Sequence, residues 1–155
     1  MIKTAYLAFG SNIGDSRKAI LDAIDALSLV PGITVDKVSD IIETKPWGYD
    51  DQNNFSNACA RLSVTISPQA LLGVCLGIEA AMGRHRIIKN GPRIIDIDVI
   101  LYIGESCNTE ELKLPHPRMW ERDFVLVPLY QVADDDIRDE ISEGIKKLKE
   151  HFVIK

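Results

Sequence analysis

The 155-residue chain contains no apolar run approaching a membrane span, for which about 20 residues are needed, so a transmembrane helix is excluded. Cysteine is scarce. Cys59, Cys75 and Cys107 form no CxxC pair and are odd in number, which excludes a disulfide framework or zinc ribbon and reads as reduced, cytoplasmic and structural. The histidines, His85, His116 and His151, are scattered and offer neither a zinc triad nor a Ser/His/Asp arrangement. "GSNIGDS" has glycines at suggestive spacing but no Gly-Lys-Ser/Thr, so a P-loop NTPase is excluded. The opening "MIKTAYLAFGS" lacks the basic start, apolar run and cleavage site of a signal peptide. Low-complexity tracts and internal repeats are absent as well. A net charge of -5 argues against a general nucleic-acid binder, although a local basic cluster can still hold a small anion.

What is present is an ordinary globular composition, 46% hydrophobic and 26% charged, at a length that favours one domain over residues 1–155 with a sizeable core. "KTAYLAFGSN" alternates as a first strand running into a glycine-bearing loop, where Gly10 and Gly14 bracket "SNI". Asp15 or Ser16 can cap the helix that follows, whose apolar stripe is Ala19, Ile20, Ala23, Ile24 and Leu27. "PG" at 31 and 32 ends it, and "ITVDKVSDIIET" reads as a second strand. After a polar loop comes a third strand, "FSNACARLSVTI". Its period of two puts Ser56, Ala58, Ala60, Leu62, Val64 and Ile66 on a core face and Phe55, Asn57, Cys59 and Arg61 on the other. Ser67 caps a second helix with Pro68 at its first position, and Leu71, Leu72, Cys75, Leu76, Ile78 and Met82 form its buried side. The order β-α-β-β-α-β predicts an α+β, ferredoxin-like antiparallel sheet with both helices on one face. The other face is then open to a C-terminal extension, in which "FVLVPLYQVA" and "DEISEGIKKLKEHF" read as helices with Ile141, Ile145 and Leu148 on one stripe.

"NGPRIIDIDVILY" carries the chemistry. Read as a strand, it sends Ile95, Ile97, Val99, Leu101 and Ile103 one way and Ile94, Asp96, Asp98, Ile100 and Tyr102 the other. Two carboxylates about 7 Å apart on one side of a strand suit one hard cation or a pair of them. A bare DxD pairs with local arginines about as often as it binds metal, since short acidic motifs recur by chance. The neighbourhood shifts that balance. Arg84, Arg86, Lys89 and Arg93 lie just upstream, and His116, Arg118 and Arg122 follow the strand. Cations for phosphate oxygens around carboxylates for a metal is the arrangement that polyphosphate with Mg²⁺ requires. Phe55 and Asn57, beside Thr44, Pro46 and Trp47, suit a flat heteroaromatic ring held by stacking and edge hydrogen bonds, against the plainer alternative of Phe55 packed under the C-terminal segment.

The stretches "FGSNIGD", "ETKPWGYDDQNNFSNA", "IEAAMGRHRIIKNGPRIIDIDVILY" and "LPHPRMWERDFVLVPL" resemble, in order, the 6-hydroxymethyl-7,8-dihydropterin pyrophosphokinases of folate biosynthesis, through about residue 133. The resemblance implies transfer of the β,γ-pyrophosphoryl group of ATP to the pterin hydroxymethyl oxygen, releasing AMP. It implies two Mg²⁺ ions on Asp96 and Asp98, with Arg84 and Arg86 joining them as the catalytic residues. The nucleotide and its phosphates fall to Arg84, Arg86, Arg93, His116 and Arg122, with Glu79 on the adenosine side. Thr44, Pro46, Trp47, Phe55, Asn57 and Phe124 form the pterin pocket, the two Phe rings sandwiching it. One departure stands out: before "GPR" the family pattern usually carries Arg-Trp, and here it is Lys89-Asn90. ATP and the pterin are then the expected partners, with no nucleic acid or membrane, and a cytoplasmic monomer is expected. A ferredoxin-like RNA-binding module is the rival from another class, disfavoured by the acidic pair on its sheet face. A metal-dependent nucleotidyltransferase is the rival among enzymes.

Overall fold

The structure, a computed structural model, describes residues 1–44, 54–83 and 94–153. The elements are β1 (Lys3–Ser11), α1 (Ser16–Ser28), β2 (Ile33–Val38), β3 (Ile42–Thr44), β4 (Phe55–Val64), α2 (Pro68–Ala81), β5 (Asp96–Tyr102), a β6–β7 hairpin (Cys107–Asn108 and Lys113–Leu114), a 3₁₀ turn at Met119–Glu121, α3 (Asp123–Val132) and α4 (Asp135–Val153). The main sheet is antiparallel in the order β2-β4-β1-β5, and β3 pairs with β4 beyond β2. This is the expected α+β arrangement with its β2 strand split in two.

The split has a local cause. Ser39 turns its hydroxyl into the ladder, where it accepts from the Cys59 amide at 2.8 Å, and the Asp40 amide donates to Gln131 Oε1 instead of to a strand. The helix starts follow the capping rules: Asp15 accepts from the Lys18 amide at 3.1 Å, and Ser67 from the Ala70 amide at 3.1 Å ahead of Pro68. Ala19, Ile20, Ala23, Ile24 and Leu27 are all buried, and the last four pack under one face of the sheet with Ala58, Ala60, Leu62 and Val64. Gly10 belongs to β1 rather than to the loop after it, and of the two glycines there Gly14 has the positive φ of 60°.

A second core fills the opposite face. Tyr6, Ala8, Cys59 and Ile100 of the sheet meet Leu126, Leu129 and Val132 of α3 and Ile141 of α4, with Ile145 and Leu148 packed alongside. The C-terminal extension therefore covers much of the face left open by the first two helices. Arg61 fixes the α3–α4 junction by donating to the Val132 carbonyl at 3.0 Å and to Asp134 at 2.7 Å. The Asp134 amide in turn donates to the buried Tyr6 hydroxyl at 3.0 Å. Gly144 lets α4 lie close, because a Cβ there would stand 2.8 Å from the Trp120 ring. Gly144→Val is accordingly expected to destabilise the fold by about 1–3 kcal/mol, the usual cost of overpacking, as read by chemical denaturation.

One expectation about β5 is corrected. Tyr6 pairs with Leu101 and Leu7 with Val99, so Ile100 is an extra residue, a β-bulge. Beyond it the alternation inverts. Leu101 and Ile103 pack on the second core, and Tyr102 turns into the first, where its hydroxyl donates to the Ile66 carbonyl at 2.6 Å. Among the described residues, no helix is long and apolar enough to cross a membrane.

Candidate active site

The site begins in the strand register. Gly10 in β1 lies opposite Asn57 of β4 on one side and Asp96 of β5 on the other. Two residues earlier, Ala8 lies between Cys59 and Asp98. Directly paired residues project from the same face of a sheet, so Asn57, Asp96 and Asp98 share one face, as the period of two required. The residues between them carry only a hydrogen atom at Gly10, which is half-buried, and a methyl group at Ala8, which lies at the border of the second core. A Cβ on Gly10 would come within 3.4 Å of Asn57 Oδ1.

Asp96 and Asp98 are half-buried and line a cavity of about 400 Å³. Glu79 and His116 line it as well, and Leu72, Leu76, Leu112 and Pro117 supply apolar walls. Leu76, expected on the buried side of α2, is 51% exposed because it faces this cavity. Glu79, one helical turn from Cys75, is buried instead.

His116 is tied to β5 by its amide, which donates to the Ile100 carbonyl at 2.9 Å. The Arg118 amide donates to its Nδ1 at 3.2 Å, so in the neutral ring the proton sits on Nε2. Burial pushes the imidazole below its ordinary pKa; Asp98 pulls it back up, while Arg122 and Arg118 push it further down. The Arg122 guanidinium is likewise lowered, first by burial and then by Arg118, against the pull of Asp98, Glu121 and Asp96, but an arginine remains cationic. It also lies 5.8 Å from the Phe124 ring centroid, within cation–π range. Asp98 thus acts on both His116 and Arg122, and Asp96 on Arg122 as well. Cys75 is excluded as a nucleophile, since burial, Glu79 and Asp98 push its thiol up to about 12.

The structure therefore brings Asn57, Glu79, Asp96, Asp98, His116 and Arg122 to one region of the sheet. Phe55 opens β4, half-buried, with Thr44 opposite it in β3, and Phe124 lies in the first turn of α3, the helix that packs on β4. Pro46, Trp47, Arg84, Arg86 and Arg93 lie outside the described residues, as does the Lys89-Asn90 departure. Among the described residues, no three His, Cys, Asp or Glu side chains converge as a metal site, leaving the acidic pair as the candidate donors. Two features were not read from the sequence. One is the floor at Ala8 and Gly10, for which the run of small residues in "LAFGS" was the available signal. The other is the apolar wall of Leu72, Leu76 and Leu112, which only the packing of the hairpin beside β5 makes visible.

Comparisons with known proteins agree in direction. The family model described as 7,8-dihydro-6-hydroxymethylpterin-pyrophosphokinase (HPPK) matches residues 6–134. A 2-amino-4-hydroxy-6-hydroxymethyldihydropteridine pyrophosphokinase of Methylorubrum extorquens is 45% identical over 146 residues, 93% of this chain and 92% of that one. The protein of the same description from Bacillus subtilis is 39% identical over 155 residues, 97% of this chain and 93% of its own length. The folic acid synthesis protein fol1 of Schizosaccharomyces pombe is 44% identical over 150 residues, but this chain spans only 20% of its length. In fold, the chain is similar to the crystal structure of HPPK-DHPS in complex with substrates, with a TM-score of 0.65 at 15% identity, over 98% of this chain and 45% of that one.

Proposed function

The chain belongs to the 7,8-dihydro-6-hydroxymethylpterin-pyrophosphokinase family, and from that premise we propose that it transfers pyrophosphate from ATP to the hydroxymethyl group of 6-hydroxymethyl-7,8-dihydropterin, a folate-pathway step that leaves AMP. One observation carries the reading: the row that sets Asn57 on one side of Gly10 and Asp96 on the other, on one face of the sheet. A pterin edge at Asn57 and phosphates at the acidic pair are then neighbours across a floor of small residues.

Asp96 and Asp98 fit Mg²⁺. Both offer hard oxygen donors from the same strand face at the edge of an accessible cavity, and Mg²⁺ takes one or two carboxylates and completes its shell with phosphates and water. In this reading the two residues hold two ions, which when bound supply neutralisation of charge on the phosphate oxygens. The chain's own groups do the rest. Arg122 and the Nε2–H of His116 bind and orient phosphate oxygens, with Arg84, Arg86 and Arg93 assigned the same task. Asn57 presents both an acceptor and donors to the ring edge. Phe55 and Phe124 sandwich the ring, with Thr44, Pro46 and Trp47 completing the pocket. Phosphoryl-type transfer asks mainly for such positioning and charge stabilisation, and little of a base. The reading needs no nucleic acid, membrane or second subunit.

The test is to incubate the protein with ATP, Mg²⁺ and 6-hydroxymethyl-7,8-dihydropterin and to identify the products chromatographically. AMP with a pterin diphosphate supports the reading; free pyrophosphate without AMP points to nucleotidyl transfer. The sandwich has its own expected result. Phe55→Ala or Phe124→Ala weakens pterin binding by about 1 kcal/mol or more, the scale of a well-oriented aromatic pair plus lost burial, with ATP binding little changed. Equal losses for both ligands in calorimetric titration would mean that the rings serve the core alone.

A further inference from the structure

Among the described residues, β5 is the outermost strand of the main sheet, next to β1, and no further strand lies on its far side to accept from its amides. The Ile97 amide nonetheless has a strong acceptor: it donates to Glu79 Oε2 at 2.7 Å. Ile97 is the residue between Asp96 and Asp98. Its side chain is 3% exposed in the first core, and Glu79, reaching from α2, is 4% exposed. Burying a carboxylate is costly unless its oxygens are used, and a charge-assisted bond to a main-chain amide is among the stronger uses. Upstream, the Ser11 hydroxyl donates to the Ile94 carbonyl, so the backbone entering the acidic pair is held from β1 and from α2.

We propose that Glu79 is a positioning residue, whose grip on the Ile97 amide sets the spacing and direction of the Asp96 and Asp98 carboxylates for cation binding. The inference rests on the pyrophosphokinase reading and assigns Glu79 a role in it apart from nucleotide contact. α2 and β5 meet at this point with their side chains buried. Without the acceptor, the backbone between Asp96 and Asp98 loses this outer bond and keeps β1 on its inner side, the next outer tie being the His116 amide on the Ile100 carbonyl further along the strand. Outer partners that orient metal ligands are typically worth about 10- to 100-fold in metal affinity or activity.

The experiment compares the wild type with E79A and E79Q, using Mn²⁺ as the probe by electron paramagnetic resonance, Ile97 amide exchange by NMR, and turnover. E79A is expected to weaken Mn²⁺ binding in the presence of ATP about 10- to 100-fold. It should lower kcat similarly, speed Ile97 exchange about tenfold or more, and leave KM for ATP within about twofold. E79Q is expected to stay within about threefold of wild type in Mn²⁺ binding and kcat, because the glutamine oxygen accepts the same amide. Unchanged Mn²⁺ binding in E79A overturns the proposal. So does a loss confined to KM for ATP, which would make Glu79 a nucleotide ligand, or an E79Q as impaired as E79A. Should E79A fail to fold, Glu79→Asp, one methylene short of the amide, takes its place with the same expectations. A wild type that forms no AMP defeats the pyrophosphokinase reading, while Mn²⁺ binding and Ile97 exchange still decide the role of Glu79.

Discussion

Replacing Asp96 or Asp98 by alanine is expected to lower turnover by about a thousandfold or more while the protein stays folded. Cations bound at polyphosphate supply several kcal/mol of charge stabilisation, and about 4 kcal/mol corresponds to three decades in rate. With one carboxylate gone, Arg122 and His116 still attract phosphate. ATP binding in the absence of metal should therefore change less than turnover, which is the signature of an interaction used in the transition state. Stability should move little. Both carboxylates are only half-buried at the edge of a cavity, where a charge is solvated and its interactions are each worth about 1 kcal/mol or less. The measurement is steady-state turnover at saturating Mg²⁺ beside a thermal melt. Full turnover by either variant would sink the metal assignment, and loss of the folded baseline would make the acidic pair structural.

The acidic pair could be placed from sequence because β5 alternates regularly up to Val99, and β4 likewise along its length. Ala58, Ala60, Leu62 and Val64 went to the first core, and Asn57, Cys59 and Arg61 to the other side. Periodicity failed where a residue was inserted into the ladder. The extra residue at Ile100 sent Leu101, Tyr102 and Ile103 to the faces opposite those expected, and a bulge leaves no mark in a run made wholly of apolar residues. β2 was broken by a different route, the Ser39 hydroxyl taking the Cys59 amide that a strand carbonyl would otherwise have accepted. Leu76 was misplaced for another reason: helix periodicity identifies an apolar stripe but not which part of it faces a cavity built later in the chain. The burial of Glu79 was illegible for a complementary cause, since its acceptor role depends on the free edge of a strand 18 residues downstream. The resemblance to the pyrophosphokinases put Glu79 near the nucleotide; the packing shows its carboxylate at the backbone between the two aspartates.

Gly10→Val should separate stability from function more cleanly than any substitution of a charged residue. Gly10 sits inside β1 without a positive φ, so its backbone is open to any side chain, and valine is favoured in strands. Glycine in a strand interior gives up about 0.5–1 kcal/mol relative to alanine, which offsets much of any crowding. The new methyl groups would stand on the floor between Asn57 and Asp96, where even a bare Cβ reaches 3.4 Å from Asn57 Oδ1. If the pterin edge rests on Asn57 with its hydroxymethyl arm directed toward the acidic pair, those methyls push the ring away from the phosphates. A misplacement of about 1 Å costs on the order of 100-fold. The expected result is therefore a melting temperature at or near that of the wild type, with turnover down about 100-fold and pterin binding weakened more than ATP binding. Gly10→Ala should fall between the two, since it adds the contact with Asn57 but leaves most of the floor clear. Calorimetric titration with each substrate, beside a thermal melt, reads all three quantities. Wild-type turnover in Gly10→Val would mean that the reacting groups do not meet over this floor, and the site would have to be sought elsewhere on the sheet.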